Sequence, residues 1–224
     1  DWPNEFDCRF AIARLDVPAA KPRESAERIA TGMAHLPQWT RAWEEWQRKY
    51  IQRVYEIGVN KLKALDLTDV GGVQTQYYMS GMFDLQPDEA LVVQTVIPEG
   101  CRYWGFHLTD EHTSTLDWMN RQTSINGHTV VRGNDEHVHI VISAQDPGVP
   151  NWLDVVEHRR GMMIGRCWTA EGKEKLEYPQ PKTTKIKVAA VRQHLPVDTP
   201  VITLAAREAS IRAPRQAVQL RRRW

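Results

Sequence analysis

After Gly71-Gly72 the hydrophobic pattern of this chain changes from steps of three and four to alternation, and that change limits the fold more than any other feature. Gln76 to Phe83, Glu89 to Ile97, Arg102 to Thr109, Gln122 to Val130, His137 to Ser143 and Gly161 to Trp168 each read as a strand. Pro87-Asp88, Pro98-Glu99-Gly100, Asn126-Gly127 and Gly133-Asn134-Asp135 punctuate them. No connection is long enough for the helical crossover of a parallel βαβ unit. The pattern predicts a mainly β chain with helical additions, an antiparallel sandwich or barrel.

Helical signals flank this region. Ser25 is a candidate N-cap for a helix over Arg23 to Leu36, which Pro37 should interrupt or restart. From Gln38 to Leu65, Trp39, Trp43, Trp46, Tyr50, Val54, Ile57 and Lys61 follow steps of three and four. This is a long amphipathic helix packed on a sheet, or an aromatic stripe serving as ligand platform or oligomer seam. Phe6 to Val17 reads as a strand, His112 to Arg121 as a short helix, and Tyr178 to Pro181 as extended chain. Lys185 to His194 reads as a second short helix, and Thr203 to about Arg223 as a final one that Pro214 should kink or split. The chain divides into residues 1–70 (the end of an upstream segment plus amphipathic helices), 71–182 (the sandwich) and 183–224 (a helical tail packed on it).

With 224 residues the chain can bury roughly 70% of its unfolded surface and needs no staple. Its 29 Lys and Arg against 28 Asp and Glu argue against a general nucleic-acid binder. No apolar run reaches the roughly 18 residues of a membrane span. Cys8, Cys101 and Cys167 are odd in number and far apart, which points to reduced thiols and a cytoplasmic setting. The chain opens on Asp1-Trp2-Pro3 without Met and reads as part of a longer protein.

The candidate chemistry centres on Asp146-Pro147-Gly148-Val149-Pro150-Asn151-Trp152-Leu153-Asp154. Two prolines stiffen this loop, which could present Asn151, Trp152 and Asp154 to a ligand, or simply plug the sandwich end with Trp152. Arg166 shares a strand face with Met162, Ile164 and Trp168, so an inward face would require a carboxylate partner, Asp154 first and Asp146 second, covered by Trp152. His107 shares a strand face with Gly105, which leaves room beside it. His137 and His139 share a face opposite Val138, Ile140 and Ile142; a third metal ligand is not specified, and no metal is expected. Asp117, Asn120, Arg121, Gln122, Ser124, Asn126 and His128 form either a polar pocket or a well-tied turn. Nucleophile elbow, Walker loop, dinucleotide fingerprint and zinc-protease helix are absent, so no cofactor is expected.

The strings GMFDLQPDEALVVQTVIPEGCRYWGFHL, Ser114-Thr115-Leu116-Asp117-Trp118, NRQTSINGH and DPGVPNWLDVVEHRRG, with HLPVDTPVIT and the terminal RRRW, together resemble the bacterial domain of unknown function 1214 family, over about Trp39 to Trp224. The resemblance implies a jelly-roll-like β-sandwich with helical decorations, following other sequence upstream. It carries no reaction to transfer. The expectation is therefore a small-molecule pocket at one end of the sandwich, serving cofactor-independent acid–base chemistry of the lyase, isomerase or hydrolase kind. His158 or His107 would be the base, Asp154 or Asp117 its orienter, and Arg166 the anion partner, with Trp104, Asp117, Arg121, Asn126, Asn151 and Trp152 holding the ligand. The alternative is a non-catalytic carbohydrate-binding, ligand-binding or oligomerisation module. Expected partners are a small molecule, the upstream segment of the same protein and a second copy of the chain, with neither nucleic acid nor membrane.

Overall fold

The helix signal before the alternating region resolves into one continuous helix, α1 (Ala26–Ile57). The computed structural model describes residues 23–73, 75–98, 100–169 and 180–220, together with Ile12, Leu15 and Asp16; the Phe6 to Val17 strand reading and Tyr178 fall largely or wholly outside them. Ser25 caps α1 by accepting a hydrogen bond from the Arg28 N–H. Pro37 does not interrupt it. The helix around Pro37 is exposed, so water can satisfy the carbonyl whose N–H partner the proline removes. Gly58, at φ 100°, ends α1. The Lys61–Leu65 stretch, read above as helix, is strand β1, with Leu62 and Ala64 buried.

The other strands are β2 (Gln76–Asp84), β3 (Glu89–Thr95), β4 (Cys101–Thr109), β5 (Ser124–Asn126), β6 (Val138–Ser143), β7 (Trp152–Asp154), β8 (Arg160–Thr169) and β9 (Lys182–Lys187). They form a five-stranded sheet in the order β1-β2-β8-β4-β5 and a four-stranded sheet in the order β7-β6-β3-β9. The two face each other as a mainly β sandwich. Every pair is antiparallel except β6–β7, where the supposed rigid loop re-enters as a parallel edge strand. His112 to Arg121 forms turns instead of a helix. Lys185 to His194 divides into the end of β9 and a 3-10 helix, Val188–His194. The final helix, α2 (Leu204–Leu220), runs through Pro214 without a break.

Alternation sorts the side chains. Phe83, Leu91, Val93, Phe106, Leu108, Ile140, Ile142, Leu153 and Met163 point between the sheets and form the main core. The outer face of the five-stranded sheet packs Met82, Met162 and Ile164 against Val54 of α1, with Tyr50, Ile51 and Ile57 around them. The outer face of the four-stranded sheet packs Val92, Val141 and Trp152 against Val149, Val191 and Leu195.

Cys101 and Cys167, expected as separate thiols, are joined as a disulfide. β4 and β8 are neighbours, which brings the two Cα atoms to 6.0 Å despite a separation of 66 residues. The pairing overturns the reduced-thiol expectation and removes its support for a cytoplasmic setting, since such bonds persist in oxidising compartments. Among the described residues no helix is long and apolar enough to cross a membrane.

Candidate functional site

The loop Asp146 to Trp152 is densely hydrogen-bonded. Trp152 donates its indole N–H to the carbonyl and hydroxyl of Ser143. Asn151 bridges Val131 through its N–H and carbonyl and donates also to the His139 carbonyl. Over Trp152 lies a buried arginine from α2. Arg207 is 5% exposed, with its guanidinium 5.0 Å from the indole ring. It donates to Asp146 Oδ2 at 2.9 Å and Oδ1 at 3.2 Å, to Gln122 Oε1 at 2.7 Å and to the carbonyls of Val149 and Pro150. A buried Arg–Asp pair covered by Trp152 therefore exists, but its arginine is Arg207 in place of Arg166. The available signal was spacing: Arg207, Ile211, Arg215 and Val218 lie on one face of the final helix, against the body.

Arg166 stands on the other outer face of the sandwich, exposed, beside α1. The expected convergence of Trp152, Asp154, His158 and Arg166 does not occur, because β7 and β8 belong to different sheets. Asp154 accepts the Val156 N–H at 2.7 Å and lies 3.5 Å from Arg121. Burial pushes its carboxyl above the ordinary carboxylate range. His158 is exposed and its Nδ1 donates to the Val156 carbonyl. The turn between them carries Val156 and Glu157 at φ 48° and 64°, a left-handed conformation unfavourable for a β-branched residue. Asp154 and His158 thus hold their own turn. Asp117 likewise caps a local turn by accepting from Asn120.

His107 is half-buried on the outer face of the five-stranded sheet. Burial first, then the Arg166 charge, push its pKa below the ordinary imidazole value. On the opposite sheet His139 Nε2 lies 2.8 Å and His137 Nδ1 3.6 Å from Asp135 Oδ2. Among the described residues no group of three or more His, Cys, Asp or Glu is arranged to hold a metal.

A roomy concavity opens at an end of the sandwich, where β4 begins and β5 ends. Its volume is about 600 Å³, within the roughly 300–1,000 Å³ of small-molecule sites. Trp104 and Tyr103 supply aromatic surface, and Arg102, Arg132 and His128 supply basic groups. Asn126 lies on its wall, with Oδ1 occupied by the backbone N–H groups of His128 and Thr129. Trp104 is 4% exposed and its indole Nε1 has no hydrogen-bond partner. Gly127 allows this close packing, since a Cβ there would come within 3.2 Å of Nε1. Cys101 of the disulfide forms part of the wall. The described lining contains no carboxylate. Of the expected ligand residues, Trp104 and Asn126 meet here, whereas Asp117, Arg121, Asn151 and Trp152 do not. Arg102, Arg132 and His128 were not singled out as cationic lining, because they lie in three separate turns or strand ends.

No family model matches the chain, and no curated protein does. Two solved bacterial structures are similar to it. An uncharacterised protein from Burkholderia cenocepacia is 31% identical with a TM-score of 0.54, over 61% of this chain and 37% of that one. A protein from Vibrio parahaemolyticus is 21% identical with a TM-score of 0.40, over 52% of this chain and 33% of that one. The chain thus spans about a third of the length of each of these neighbours, and the Burkholderia match shares its sandwich at the level of fold.

Proposed function

We propose that this chain is a ligand-binding β-sandwich module whose end cavity takes a small organic anion. The observation that carries the reading is the composition of that wall: two arginines, a histidine and two aromatic rings, with no described carboxylate, around about 600 Å³. A basic rim attracts an anion, and the exposed Tyr103 ring offers surface for an apolar body. The acid–base reading draws less from this geometry, because Asp154, His158 and Asp117 each hold their own turns, while Arg166 and His107 lie on the outer face of the five-stranded sheet. The motifs that resemble the domain of unknown function 1214 family support membership in it. A thermal-shift screen of aromatic and aliphatic carboxylates and phosphates tests the reading. A ligand at about 100 times its dissociation constant adds roughly 2.7 kcal/mol. Arg102→Gln combined with Arg132→Gln should abolish the gain; a panel without effect, or one equally effective on the double variant, rules the proposal out.

A second reading is self-association through α1. Trp39, Trp43, Trp46 and Tyr50 stack in sequence, with centroids 6.1, 5.2 and 5.8 Å apart. Trp39 is 64% and Trp43 50% exposed, so this part of the stripe is not sandwich core. Light scattering on wild type and Trp43→Asp decides it: a dimer that dissociates into folded monomers supports an oligomer seam, and a wild-type monomer excludes it.

A further inference from the structure

We propose that the outer face of the five-stranded sheet carries a second binding site, adjoining the end cavity at Tyr103 and Asn126 but centred on the Arg166 guanidinium, for the phosphate or sulfate ester of a ring compound. Strand register builds the site. Tyr78, Arg166, Gly105 and Asn126 form one row across β2, β8, β4 and β5. Ser80, Ile164, His107 and Ser124 form the next. The guanidinium lies over the Tyr78 ring, 5.7 Å from its centroid, which orients the fork without using its N–H groups. On its other side Gly105 has no side chain, and the Tyr103 hydroxyl reaches over it, so that a Cβ at residue 105 would come within 2.9 Å of that oxygen.

The charge pattern is one-sided. The outward positions Gln76, Tyr78, Ser80 and Met82 of β2, Met162, Ile164, Arg166 and Trp168 of β8, and Tyr103, Gly105 and His107 of β4 include no Asp or Glu. Among the described residues no carboxylate pairs with Arg166, whereas Arg159 and Arg160 at the far end of β8 share Asp84. Above the sheet, Tyr50 of α1 shares a 3.0 Å hydrogen bond with Ser80. His107 is held toward its neutral form, so it can offer one N–H without adding charge. Beside Arg166, Tyr103 and Trp168 are cross-strand partners, 57% and 37% exposed, and provide a ledge for a ring. A planar guanidinium over a tyrosine ring, with no described carboxylate in ion-pair reach and exposed rings beside it, matches an oxyanion attached to a flat body.

Calorimetric titration with phenyl phosphate tests the site, with glucose 6-phosphate, inorganic phosphate and phenol as further arms. Phenyl phosphate or the sugar phosphate should bind more tightly than inorganic phosphate or phenol, and which of the two wins identifies the ring class. Arg166→Gln should weaken binding at least about tenfold, the loss of one charge-assisted contact. Arg166→Lys, which keeps charge but loses the fork, should recover only part of it. Arg132→Gln should weaken only the binding event of the end cavity and leave the Arg166-dependent event in place. An unchanged melting temperature in both Arg166 variants confirms that binding, and not folding, was altered. No binding of either ester at millimolar concentration, or wild-type affinity in Arg166→Gln, overturns the proposal. Loss in Arg132→Gln instead would place the anion in the end cavity, overturning this site while supporting the other.

Discussion

The two outer faces of the sandwich treat an arginine in opposite ways. On the four-stranded sheet, α2 lowers Arg207 onto Trp152, and five acceptor atoms surround the guanidinium: both oxygens of Asp146, the Gln122 side chain and two carbonyls. On the five-stranded sheet Arg166 is exposed, with its guanidinium over the Tyr78 ring. Burial explains the difference. A guanidinium removed from water must recover its lost hydration from nearby acceptors, whereas an exposed one keeps water and stays available to a ligand. The saturated arginine ties α2 to the sandwich, and the exposed one is the arginine proposed to bind.

The strongest way to break this comparison is to remove the buried partner. Arg207→Met should cost roughly 3–5 kcal/mol, because Asp146 and Gln122 lose their shared donor and α2 loses its anchor. Urea unfolding reads the change, and a loss below about 1 kcal/mol would mean that the cluster is hydrated and the contrast between the faces is small. Next comes the bond that ties β4 to β8 beneath the open face. Reduction of Cys101–Cys167 should remove roughly 2–4 kcal/mol. Alkylation followed by peptide mass measurement should label these two cysteines only after reductant; labelling of Cys101 or Cys167 in the untreated protein would restore the separate-thiol reading.

Val54→Ala tests how α1 is held on the five-stranded sheet. Val54 is fully buried against Met82, Met162 and Ile164, so losing two methyl groups should cost about 2 kcal/mol. A neutral result would show that α1 contributes little to that face. Asp154 provides a smaller, pH-dependent effect. Its folded pKa is raised by burial, so the folded chain retains a proton that the unfolded chain has already released. Its contribution is full below the ordinary carboxylate value and declines as pH rises through the raised folded value, with a slope of at most about 1.4 kcal/mol per pH unit. Asp154→Asn should flatten that part of the stability profile; an unaltered slope would mean that another group titrates there. The smallest effect is expected from Arg166→Met, within about 0.5 kcal/mol. A melting temperature that drops as far as for Arg207→Met would show that Arg166 is structural after all.

Much of the sandwich was legible because alternation reports directly on which side of a strand is buried. Val138, Ile140 and Ile142 face the core as the pattern implied, and so do Trp104, Phe106 and Leu108. The failures also have physical causes. β7 is only three residues long, so its period was invisible, and its parallel pairing with β6 has no local signal. Lys61–Leu65 continued an apolar spacing that fitted a helix, and only the stop at Gly58 distinguished the two. The prolines at 37 and 214 remain inside helices because their surroundings are exposed and water can replace the lost backbone bond.

The candidate sites were legible only as chemistry. Arg166, His107, Trp104 and Asn126 could be chosen as residues able to bind, since side-chain type and strand face are local properties. Whether Arg166 would meet Asp154 was a question about which sheet each strand joins, and strand order is decided by contacts far apart in sequence. The same holds for Arg207, which reaches Asp146 across 61 residues, and for Cys101 and Cys167 across 66. By itself the sequence determined the alternating strands, the capped helix before them and the faces that enter the core, because steric periodicity and hydrophobicity act between near neighbours. Only the tertiary structure decided which arginine is buried, which cysteines meet and where an open concavity remains, because those outcomes depend on how the two sheets and the helices covering them divide the surface.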